Sequence, residues 1–95
     1  MANPTDKLNL SQAIAVIQNY GFDLKGQDIS DLLERWLVRF SAPWIRLAVL
    51  ESLYEGRYQA ISIEHLLAFW QQRGEPHANF PEEFERLVLY KLMPV

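Results

Sequence analysis

Arg35, Arg39, Arg46 and Arg57 form the one concentration of positive charge in this sequence, and Glu55 and Tyr58 stand beside the last of them. Arg35 and Arg39 are four residues apart, which is one helical turn. Arg46 follows just after a break at Pro43. Arginine at this spacing suits bidentate recognition of carboxylates or phosphates. Two readings are open: a docking patch for an acidic protein segment or for phosphates, and a solvated face paired with Asp31, Glu34 and Glu51.

Other chemistry is thinly represented. His65 and His77 lack the spacing that puts two ligands on one helical face, and the absence of cysteine excludes thiolate metal sites and cysteine nucleophiles. Asp28 and Asp31, and likewise Glu82, Glu83 and Glu85, fall at expected helix starts, where the macrodipole favours them. Glu51 and Glu55, at i and i+4, are expected on the wet edge of a helix, where like charges repel mildly. They are the acidic pair least explained by helix ends, and they could face a basic partner. The four glycines stand singly, so no phosphate-cradling loop is present. These residues predict no enzymatic activity, no metal and no cofactor.

The elements that must position the arginines follow from apolar spacing. Residues 1–8 read as a flexible N-terminus, and residues 9–95 as a single helical domain. Asn9 and Gln12 make a capping-box start, followed by Leu10, Ala13, Ile14, Ile17 and Tyr20, with Gly21 as the stop. Asp28 caps a second helix whose stripe is Ile29, Leu32, Leu33, Trp36, Leu37 and Phe40. Arg35 and Arg39 lie on its polar face, with Asp31 within reach of Arg35. Ser41-Ala42-Pro43 ends this helix and starts a third, about Trp44 to Tyr54.

The third helix is apolar nearly all round, which predicts a central position; Arg46, Glu51, Ser52 and Glu55 mark its narrow polar edge. Glu55 to Gln59 forms a turn. Ser62 is the expected cap of the fourth helix, with an Ile61–Leu66 staple and Ile63, Leu66, Leu67 and Trp70 facing inward. Arg73-Gly74 closes it. A fifth helix opens at Phe80-Pro81-Glu82-Glu83, carries Phe84, Leu87, Val88 and Leu92, and stops at Pro94. No alternating strand pattern or hairpin turn occurs. The expected fold is all-α: a compact single-domain bundle of about five helices.

Composition sets the partner class. Ninety-five residues, 49 % of them hydrophobic, suit one small core without disulfides. The net charge of −3 does not favour nonspecific binding to nucleic acid. The N-terminal MANPTDKLNLSQ has no signal-peptide pattern, and no apolar run is long enough to span a bilayer. A cytoplasmic protein with no membrane contact is expected.

The segment SIEHLLAFWQQRG, Ser62 to Gly74, resembles the second domain of DnaD/DnaB-type replication-initiation proteins. That all-helical domain ends in a Tyr-x3-Ile-x3-Trp motif followed by a basic residue and glycine. Trp70 matches the tryptophan, Leu66 the isoleucine and Arg73-Gly74 the ending; Ile63-Glu64 matches the Ile-Glu after the tyrosine. The preceding WIRLAVLESLYEGR is similar to the family's amphipathic helix and turn. Ser62 stands at the tyrosine position, and an acidic helix replaces the basic extension that assists DNA binding in that family. The resemblance, over about Trp44 to Gly74, implies an all-helical fold and a nucleic-acid-binding accessory role in replication. The whole chain is also similar to a group of short proteins from cyanobacterial genomes with a W-x-R-L-A…Y-x-G-R-Y…L-x-x-W pattern, which implies a bacterial cytosolic protein and no particular activity. The residues themselves predict a small interaction or regulatory module whose partner is another protein, and the DnaD-like role is the alternative.

Overall fold

A computed structural model describes residues 3–92, in the order α1 (Pro4–Asn19), α2 (Ile29–Arg39), α3 (Ala42–Tyr54), α4 (Ala60–Arg73) and α5 (Glu82–Leu92). The all-α single bundle expected from the apolar spacing is what forms. Its Cα radius of gyration, 12.4 Å, is what close packing gives a chain of this length. Among the described residues the one β-type contact is an isolated bridge between Asp23 and Gln59.

α3 is the packing axis. It lies against both α1 and α4, and α5 covers α1. Ile45, Ala48, Val49, Leu50 and Leu53 of α3 meet Ala13, Val16 and Ile17 of α1 and Ile63, Leu67 and Trp70 of α4 in one core. Trp36 of α2 and Val88 of α5 join the same cluster.

Two helix starts differ from the expected ones. α1 begins at Pro4, not after Asn9: the Asn3 side chain accepts the Asp6 N–H at 2.8 Å. Pro4 occupies the first turn, where its missing N–H leaves nothing unpaired. α4 begins at Ala60 with Gln59 as its cap, so Ser62 lies inside the first turn and Ile61 stays largely exposed. The cause is a backbone clasp between Asp23 and Ala60.

α1 and α3 end alike. Gly21 and Gly56 both take left-handed backbone (φ +64° and +76°). The amide after each glycine reaches back to the helix, Phe22 to the Ile17 carbonyl at 3.1 Å and Arg57 to the Ser52 carbonyl at 2.9 Å. These are Schellman closures. They deliver the next residues side by side: Asp23 donates to the Tyr58 carbonyl and accepts from the Ala60 amide, each at 2.9 Å. The Ala60 N–H would otherwise be an orphan of the helix start, and pairing with Asp23 fixes the start there. The Phe22 and Tyr58 rings lie 5.7 Å apart over the clasp.

α5 is rotated relative to the expected stripe. Val88 is buried and Phe84 and Leu92 are half-buried, but Leu87 is 56 % exposed while Leu89 packs inward. Glu85, on the 85–89 side, is held by Arg46, which turns that side toward the bundle. Leu37 of α2 and Tyr54 of α3, expected in the core, also lie largely at the surface. The expected stop at Pro94 lies outside the described residues.

Candidate interaction surface

The six candidate residues fall in three separate neighbourhoods. Arg35 and Arg39 stand on α2 facing α4. Arg46 points between α1 and α5. Glu55, Arg57 and Tyr58 belong to the α3–α4 turn beside the clasp.

Arg46 is bound on two sides. Its Nε donates to Gln12 Oε1 at 2.6 Å, and its Nη2 pairs with the Glu85 carboxylate. The Arg46 side chain retains 16 % of its exposure and that of Glu85 27 %. One guanidinium thus ties α3 to α1 and α5. This differs from a surface pairing with Glu51.

Glu51 is not on a wet edge: it is wholly buried, and so is Ser52. Glu51 Oε1 accepts the backbone amides of Asn79 and Phe80 at 2.8 and 3.2 Å, and Oε2 accepts Asn79 Nδ2 at 3.1 Å. Three donors satisfy a carboxylate that would otherwise be costly to bury, and they fix the loop between α4 and α5. Glu51 therefore faces this chain's own loop rather than a basic partner. Ser52 donates its hydroxyl to the Arg57 carbonyl, bracing the turn. Glu55 sits a turn further on. Burial, a hydrogen bond to Glu51 and that residue's like charge push the Glu55 carboxyl above its usual range; Arg57, 3.9 Å away, pulls weakly the other way.

Arg35 and Arg39 occupy one wall of a groove between α2 and α4. The groove holds a hollow of about 450 Å³ lined by Arg35, Trp36, Arg39, Phe40, Glu64, His65 and Ala68. Arg35 donates to Gln27 at 2.9 Å and pairs with Glu64 at 3.1 Å, not with Asp31. Glu64 Oε2 also accepts the Trp36 indole N–H at 2.9 Å. Arg39 donates to the neutral Gln71 at 2.6 Å and lies 5.1 Å from the Phe40 ring centroid. Among the described residues no carboxylate is paired with Arg39. Among the described residues Arg35 is paired with Glu64, the one carboxylate lining this groove, and Arg39 is not.

Glu64, Ala68 and Gln71 were not among the sequence candidates. Their helical spacing marks them as one face of α4, but only the packing of α2 shows that Arg35 and Arg39 look onto that face. Among the described residues no three His, Asp or Glu side chains are grouped as a metal ion would need, and no helix is long and apolar enough to cross a membrane. No family model, curated protein or solved structure matches the chain.

Proposed function

We propose that this protein is a small non-enzymatic interaction module that binds another protein through the α2–α4 groove. The observation that carries this reading is the pair of exposed guanidiniums, Arg35 and Arg39, on one wall of a hollow with a single carboxylate opposite. A protein surface lined by two cations, the edges of Trp36 and Phe40 and a bare methyl at Ala68 offers both charge and apolar contact, as docking sites do. Arg46 serves the fold in this reading, and Arg57 and Tyr58 brace the turn.

The test is affinity capture with the tagged chain from the organism that encodes it. Partners should be lost with Arg35→Gln/Arg39→Gln and retained with the control Arg86→Gln, which alters an exposed arginine on α5. An unchanged partner set would refute the assignment. The second reading, a DnaD-like nucleic-acid-binding factor, draws on Arg39 together with Arg73, which also has no paired carboxylate among the described residues. It predicts DNA binding at low salt that falls steeply as salt rises; a flat low-salt titration would remove it.

A further inference from the structure

We infer that the occupant of the α2–α4 groove is an amphipathic α-helix of a partner protein carrying two carboxylates one turn apart, which take Arg39 and draw Arg35 away from Glu64. This rests on the reading of the groove as a docking site. The spacing of the groove is helical on both sides. Arg35 and Arg39 are separated by about 6 Å along α2. On α4, His65 lines the groove, and Ile61 and Phe69, four residues to either side of it, are 42 % and 53 % exposed. Ala68 keeps the α4 wall low beside His65, so a side chain of leucine size fits the hollow beside Phe40.

A helix laid in this groove meets the basic wall with carboxylates at i and i+4 and the rim with apolar residues on its adjoining face. Charge complementarity selects the sign. The chain as a whole carries −3, yet among the described residues that line this groove there are two arginines and one carboxylate, Glu64. Among the described residues Arg39 donates to the neutral Gln71 and has no paired carboxylate that an incoming one would have to displace. Glu64 is the internal competitor: it holds Arg35 at 3.1 Å while its other commitment is the Trp36 indole.

The test is an NMR titration of the full chain with a synthetic peptide of about 18 residues, long enough to be helical. One face of the peptide carries Glu pairs four apart and the adjoining face Leu. The expected result is shifts confined to the Arg35, Arg39, Ala68 and Phe69 amides. Arg39→Gln should weaken binding about tenfold. Glu64→Gln keeps an acceptor for Trp36 and removes the competing charge, so it should tighten binding about twofold to threefold. Circular dichroism of both variants checks that they fold. The inference is overturned if the peptide causes no localised shift at millimolar concentration. It also fails if a scrambled peptide of the same composition binds equally, if a Lys-for-Glu peptide binds equally, or if single-stranded DNA shifts the same amides more strongly. Failure with partner capture still dependent on Arg35 and Arg39 would reject the helical acidic occupant and leave the docking site standing; loss of both would reject the site.

Discussion

Glu51 shows how one side chain can organise a loop that has no regular structure of its own. Its carboxylate receives two backbone amides and one side-chain amide from Asn79 and Phe80. Glu51→Gln keeps the shape but turns one acceptor into a donor facing the Asn79 amide. It should cost about 1–3 kcal/mol, read as a lower urea midpoint with an unchanged slope. Glu55 gives a pH signature of known sign. Its carboxyl is raised in the folded state, so the native protein binds this proton more tightly than the unfolded chain does. The associated stability is full below the ordinary carboxylate value, about 4.3, and is lost as pH rises through the raised value. Glu55→Gln should remove that component: the difference in unfolding free energy between variant and parent should grow in the variant's favour from about pH 4 toward neutrality. A pH-independent difference would contradict the raised carboxyl.

At the scale of elements, α5 is fastened by Val88 in the core, by Phe84, Leu89 and Leu92 packed against it, and by the Arg46–Glu85 pair. Arg46→Ala leaves Glu85 and Gln12 without their shared donor and should destabilise the fold by about 2–3 kcal/mol, with the α5 amides losing hydrogen-exchange protection first. Gly56→Ala forces a Cβ into left-handed backbone where space is open but the conformation is not. A loss of about 1 kcal/mol is expected, measurable as a lower melting temperature. Helix number, order and most of the core were legible because apolar spacing is local. The α1 start was missed: Asn3-Pro4 with Asp6 is a start signal, but the polar run around it reads as a flexible terminus, and the expected start falls at Asn9 instead of Pro4. What could not be read was any contact made by backbone. The donors to Glu51 and the partner of Ala60 are amides, and an amide leaves no mark on residue type. Hence Glu51 looked like half of an exposed acidic pair, and Ser62 like a cap.

At the scale of the molecule, the α2–α4 groove emerges from two helices distant in sequence. Arg35 and Arg39 were legible as candidates, but Arg46 and Arg57 carried the same signal and sit elsewhere. Only the packing separates arginines that hold the bundle together from arginines that face outward with one carboxylate between them. The most direct measurement is site-specific photocrosslinking with a photoreactive side chain at His65, on the rim of the groove, and a control at Arg86 on α5. A protein crosslinked from residue 65, absent from residue 86 and lost when Arg35 and Arg39 become Gln, is the predicted result. Equal capture from both positions, or capture indifferent to the two arginines, would contradict it.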